Sequence, residues 1–93
     1  MKAIEILKKH EDTIKKKFGV KRMGIFGSFA KGEGREESDI DILVEFEKTV
    51  DFFEFLDLKE FLENLFHREV DLVTKRALKP LIKEKILKEV IYV

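Results

Sequence analysis

Residues 38–44 read Ser38-Asp39-Ile40-Asp41-Ile42-Leu43-Val44, and this run restricts the fold more than any other part of the chain. Successive residues of an extended strand point to opposite faces, so Asp39 and Asp41 share one face and Ile40 and Ile42 take the other. Two neighbouring carboxylates repel each other and are unfavourable to bury unpaired. The strand must therefore lie in a sheet with one dry face and one face open to solvent or to a cation. An earlier apolar run, Met23 to Phe26, ends in the turn Gly27-Ser28, so two strands are joined through a glycine-serine turn and a charged loop.

The rest of the chain supplies helices to cover the dry face. Ile4, Leu7, Ile14 and Phe18 recur at helical spacing and predict one helix over residues 3–18, stopped by Gly19. A strand follows from Lys21 to Phe26, and Ser28 is placed to cap a short turn running to Lys31. Gly32 to Glu37 is a charged, glycine-containing loop. The second strand is expected over Asp39 to Phe46, a helix over Val50 to Phe66 and a third strand over Glu69 to Thr74. Pro80 fits the first turn of a last helix reaching about Glu89. Ile91-Tyr92-Val93 is either a short added strand or a tail. The order α-β-(short α)-β-α-β-α predicts an α+β fold, a small mixed sheet with helices packed on one face. Strand order is not readable from this pattern.

Size and charge narrow the function classes. The 93 residues suit one domain over 1–93. There is no cysteine and there are two histidines, His10 and His67, which excludes disulfides and a zinc set. No apolar run approaches the roughly 20 residues of a membrane span, and the first residues are amphipathic rather than a secretory leader. A soluble cytoplasmic protein is expected. The net charge is zero, but residues 33–73 hold fourteen acids against four bases. An acidic middle argues against direct nucleic-acid binding, which wants a basic face, and Lys15-Lys16-Lys17 reads as a solvated helix face.

Three acids and a turn carry the chemistry. Glycine lets a ligand approach the main chain. Free N–H groups after it, with the Ser28 hydroxyl, can cradle phosphate; an ordinary strand-to-helix turn is the alternative. Asp39 and Asp41 fit either strand-start residues finishing a turn or Mg²⁺ ligands. Asp71 sits inside the apolar run Val70-Asp71-Leu72, where aspartate is disfavoured. If Val70 and Leu72 share the core face with Ile40 and Ile42, Asp71 joins Asp39 and Asp41. Such a trio beside a phosphate cradle suits two-metal phosphoryl or nucleotidyl transfer.

The spacing Gly27-Ser28, then Asp39-Ile40-Asp41, then a later strand aspartate, resembles the polymerase-beta-like nucleotidyltransferase superfamily. The fuller run Gly-Ser-Phe-Ala-Lys-Gly…Ser-Asp-Ile-Asp-Ile-Leu-Val is similar to the minimal nucleotidyltransferases (MNT), over nearly the whole chain. The resemblance implies that Gly27 and Ser28, with Lys31 and Ser38 beside them, bind the nucleotide, and that Asp39, Asp41 and Asp71 are catalytic and bind two Mg²⁺ ions. Lys31 stands where the family usually has arginine; it keeps the charge without the planar fork. Larger relatives have a second domain for base and acceptor, so here the acceptor is expected from another chain. The resemblance implies a helical HEPN ribonuclease toxin as partner, in a hetero-oligomer, with AMP transferred from ATP to a toxin tyrosine. Transfer to a small-molecule hydroxyl, or neutralisation by contact alone, are the rival expectations. The nine apolar residues between Phe52 and Phe66 form a wider stripe than one core face needs, which is an independent sign of an interface.

Overall fold

A computed structural model gives the structure over residues 2–35 and 38–93. Ile40, Ile42 and Val44 take the dry side of their strand, each 0–1% exposed, and the rest of the fold is built on that face. The elements are α1 (Ala3–Lys9), α2 (Glu11–Phe18), β1 (Val20–Phe26), a 3-10 turn (Gly27–Phe29), β2 (Ile40–Phe46), α3 (Phe52–Phe66), β3 (Val70–Thr74), a second 3-10 turn (Lys75–Ala77), α4 (Pro80–Glu89) and β4 (Ile91–Tyr92). The strands form one mixed sheet in the order β3-β2-β1-β4. β1 runs antiparallel to β2 and β4, while β3 is parallel to β2. A parallel neighbour needs a crossover, and α3 provides it. Ile91 and Tyr92 thus form an edge strand.

The dry face packs against α1, α2 and α3. Ile25, Ile42 and Leu72 lie side by side across three strands and meet Leu7, Ile14, Leu58, Leu62 and Phe66 in one buried cluster. The helix α3 starts at Asp51, whose side chain accepts the N–H of Glu54 at 2.8 Å. Phe18 and Phe61 meet edge to face at 5.3 Å and tie α2 to α3. The expected helical layer on one face holds for these three helices. α4 adds a smaller layer on the other face, where Phe26, Leu43 and Ile86 are buried with Val73, Leu78, Leu87, Val90 and Tyr92 against them.

The helix expected over residues 3–18 is two helices that break at His10 (φ −103°, ψ 8°). His10 turns back on α1: its N–H donates to the Leu7 carbonyl, and its Nδ1 lies 3.0 Å from the Ile6 carbonyl. No apolar residue falls between Leu7 and Ile14, so nothing holds the middle of a straight helix to the core. Lys8 and Lys9 end α1 and Glu11 and Asp12 open α2, the charge order that helix dipoles favour at a C-terminus and an N-terminus. α2 ends at Gly19 and α4 begins with Pro80 as its first residue. Strand boundaries shift by one residue: β1 begins at Val20, β3 begins at Val70, and Asp39 lies just before β2. Glu36 and Glu37, part of the expected charged loop, lie outside the described residues. Among the described residues no helix is long and apolar enough to cross a membrane.

Candidate functional site

The face opposite Ile42 carries the acids. Cross-strand pairing sets Phe26, Asp41 and Asp71 in one row over β1, β2 and β3. Neighbouring strands lie about 4.8 Å apart, so the Asp41 and Asp71 side chains stand next to each other. Asp39 precedes Asp41 by two residues and adds its charge to the same face. The consequence shows in the Asp41 carboxyl, which is pushed up from 3.8 to about 6. Burial is the largest cause, followed by the charge of Asp71, a side-chain hydrogen bond with Asp71 and the charge of Asp39. Asp41 is half-buried while Asp39 and Asp71 are exposed.

Among the described residues no basic side chain forms an ion pair with this row. Among the described residues the ion pairs are Lys2–Glu5, Lys15–Glu11, Lys31–Glu89, Lys59–Glu63 and Lys88–Glu84, and none includes Asp39, Asp41 or Asp71. That separates the row from a structural ion-pair network, in which each acid meets a base. Among the described residues no three His, Cys, Asp or Glu side chains are already gathered closely enough to hold a metal ion unaided. Mg²⁺ does not require such a cage, because it keeps several waters and binds through one or two carboxylates plus substrate phosphates. The donor set, all oxygen and short of counter-charge, fits that ion.

The turn after β1 closes on the acids. Gly27 has φ 71°, and a Cβ at this position would overlap the Asp41 carboxyl. Both the left-handed backbone and the close approach require glycine. Ser28 is the second residue of the turn; the cap position is Phe26, so Ser28 does not cap it as the sequence suggested. Its side chain comes two residues too late for that role. Further bonds close the turn from the N–H groups of Lys31, Gly32 and Glu33 to the carbonyls of Gly27, Ser28 and Phe29.

Lys31 and Ser38 stand differently. The Lys31 Nζ lies 3.3 Å from the Glu89 carboxylate, so it links the turn to the end of α4. The Ser38 Oγ accepts the N–H of Arg35 at 3.2 Å, and the Ser38 N–H donates to the Arg35 carbonyl at 3.0 Å. Gly27, Asp41 and Asp71 are therefore brought together directly, with Asp39 two residues before Asp41 and Ser28 next to Gly27 in the chain. The sequence reading passed over Arg68, whose Nη1 donates to the carbonyls of Arg35 and Ser38. Nothing in its local pattern marks it.

A recess of about 670 Å³ opens at the other end of β2. Its lining mixes Lys17 and Lys48 with Glu47, Glu54 and Asp57, so its charges offset one another. The acid row, with its uncompensated charge and glycine turn, is the better place for chemistry.

Known proteins resemble this chain in sequence and fold. The nucleotidyltransferase domain family matches residues 7–93. The chain is 46% identical over 88 residues to the protein adenylyltransferase MntA of Thermococcus cleftensis, covering 95% of this chain and 89% of that protein. A solved structure described as a candidate minimal nucleotidyltransferase superposes with a TM-score of 0.79 at 38% identity, over 94% of this chain and 92% of the other. A complex of a tri-AMPylated Shewanella oneidensis HEPN toxin with its MNT antitoxin shares the fold, with a TM-score of 0.70 at 20% identity over 99% of this chain and 71% of that one. Family match, near full-length identity and the paired acids agree, and the chain belongs to the nucleotidyltransferase domain family.

Proposed function

We propose that residues 1–93 act as one Mg²⁺-dependent adenylyltransferase domain that transfers AMP from ATP to a tyrosine hydroxyl of a HEPN-type toxin and so serves as its cytoplasmic antitoxin. The observation that carries this reading is the in-register pairing of Asp41 with Asp71, beside Gly27 and without a basic ion-pair partner among the described residues. The name of the Thermococcus relative and the AMPylated toxin in the Shewanella complex support the acceptor class.

In this reading Asp39 and Asp41 would hold two Mg²⁺ ions and Asp71 would complete the site. The ions, when bound, withdraw charge from the phosphates and ease ionisation of the acceptor hydroxyl. Gly27 lets the triphosphate reach the main chain, and the Ser28 hydroxyl and N–H at the start of the turn would receive it. Lys31 can leave its solvent-reached pair with the half-buried Glu89, and Ser38 adjoins Asp39. The tyrosine oxygen bonds to the α-phosphorus, the bond to the β-phosphate oxygen breaks, and pyrophosphate departs. The exposed Asp71 carboxylate is placed to take the hydroxyl proton.

Incubation with α-labelled ATP, Mg²⁺ and the helical partner protein tests this. Label should appear on the partner's tyrosine and vanish with Asp39→Asn plus Asp41→Asn. Label on a small hydroxylated molecule instead would redirect the reading to that acceptor. Neutralisation by contact alone is the second reading, favoured by exposed Phe52 (66%), Phe53 (75%) and Leu81 (91%). It predicts that the double Asn variant still silences the toxin.

A further inference from the structure

Three separate segments bring the candidate site together: the turn after β1, the loop before β2 and the start of β3. One side chain reaches all three. Arg68 lies three residues before Asp71. Its Nη1 donates to the carbonyls of Arg35 at 2.9 Å and Ser38 at 3.3 Å, and Ser38 adjoins Asp39. The guanidinium also lies 5.1 Å from the centre of the Phe29 ring, and Phe29 adjoins Ser28. Gly34 admits this ring closely, since a Cβ there would sit 2.5 Å from Phe29 Cδ1.

The arrangement is not one that stability alone would select. The Arg68 Nε is buried without an acceptor among the described residues. An unpaired buried donor is unfavourable, so the contacts of the outer nitrogen and of the flat face are held against that cost. Its planar fork can donate and stack at once, which lysine cannot do.

We infer that Arg68 is a positioning residue for nucleotidyl transfer: its guanidinium clasps the carbonyls of Arg35 and Ser38 and the Phe29 ring, and so fixes Asp39 and Ser28 relative to Asp71. The inference rests on the nucleotidyltransferase reading. Partners that orient metal-binding carboxylates typically change affinity or activity 10–100-fold when removed.

The full chain, labelled with ¹⁵N, is titrated with Mg²⁺ and a non-hydrolysable ATP analogue, and transfer to the partner is timed in parallel. In Arg68→Gln, amide exchange at Arg35 and Ser38 should quicken ~10-fold, analogue affinity should weaken ~10-fold, and kcat should fall ~10-fold with the KM for the acceptor unchanged. Arg68→Lys should fall between, because it keeps a donor and loses the stack. Unchanged affinity and kcat in the folded protein, with only the melting temperature lowered, would overturn the inference. If Arg68→Gln does not fold, Gly34→Ala displaces Phe29 and carries the same comparison, with unchanged affinity again overturning it. A wild-type chain that neither binds the Mg²⁺–analogue mixture nor transfers AMP speaks against the nucleotidyltransferase reading. Exchange at Arg35 and Ser38 then decides the clasp by itself, and unchanged exchange overturns it.

Discussion

The two faces of the sheet are built to different standards. On one, Ile25, Ile42 and Leu72 form a continuous apolar row under three helices, with Ile25 and Ile42 fully buried. On the other, the next row is Phe26, Asp41 and Asp71, and only one helix, α4, packs over the residues beyond it. The same strand, β2, supplies both faces, so one residue step moves from the stabilising side to the charged side. The dry face carries the fold, and its surplus stability lets the other face keep unpaired carboxylates in close company.

Adjacent substitutions in β2 sharpen that contrast. Ile42→Ala empties the helix-covered core and should lower stability by about 4 kcal/mol, while Leu43→Ala, one residue on, should lower it by about 3 kcal/mol. The second cluster is smaller and can collapse further around the lost volume. Urea unfolding of the two variants measures the difference, and equal losses would contradict the division of labour between the faces.

The next largest effect belongs to the turn. Gly27→Ala places a Cβ against the Asp41 carboxyl at φ 71°. The left-handed backbone and the collision together should lower stability by about 2 kcal/mol. AMP transfer should fall more steeply than stability, because Asp41 must move. Equal falls would reduce Gly27 to a backbone requirement.

Much of this was legible because strands have a period of two. The Asp39–Asp41 pair and the interrupted apolar run at Asp71 announce a charged face, and the core residues Ile40 and Ile42 follow from spacing alone. The break at His10 was also written in the chain, as Lys8-Lys9 followed by Glu11-Asp12, but the apolar stripe on either side concealed it. Other features are tertiary and have no local signal. The stripe of α4 could serve either face; Ile86 and Leu87 turn to the sheet while Leu81 and Ile82 stay exposed. Arg68 reads as an ordinary residue before a strand, because its partners Arg35 and Ser38 are thirty or more residues away. The surplus of apolar residues in α3 was readable, and Phe52, Phe53 and Leu56 do remain exposed.

Titration of Asp41 tests the strain on the charged face directly. Its folded value, about 6, stands above the ordinary 3.8, so the folded chain binds this proton more tightly than the unfolded one. The stability this group contributes is fully present below pH 3.8 and is lost as pH rises through about 6. Solvent reaches the carboxyl and screens it, so the loss should be about 1 kcal/mol. In metal-free protein Asp41→Asn should remove that part of the pH slope and leave the chain about 1 kcal/mol more stable at neutral pH, without transfer activity. Added Mg²⁺ should stabilise the wild type and not the variant. Denaturant midpoints at several pH values decide it; parallel slopes for the two proteins would mean that Asp41 is not under this strain.

The smallest effect comes from a second left-handed residue. His67 ends α3 at φ 54° and ψ 41° with its side chain exposed, and Gly27 shares the positive φ. A side chain in this conformation is disfavoured by about 1 kcal/mol, and glycine there gives back part of that through a more flexible unfolded chain. His67→Gly should therefore raise stability by about 0.5 kcal/mol, seen as a small rise in melting temperature, and leave transfer unchanged. Gly27→Ala and His67→Gly thus reverse each other in backbone terms, and differ in whether a carboxylate waits behind the Cβ. If His67→Gly also slowed transfer, the C-terminus of α3, one residue from Arg68, would have to be counted with the charged face rather than with the scaffold.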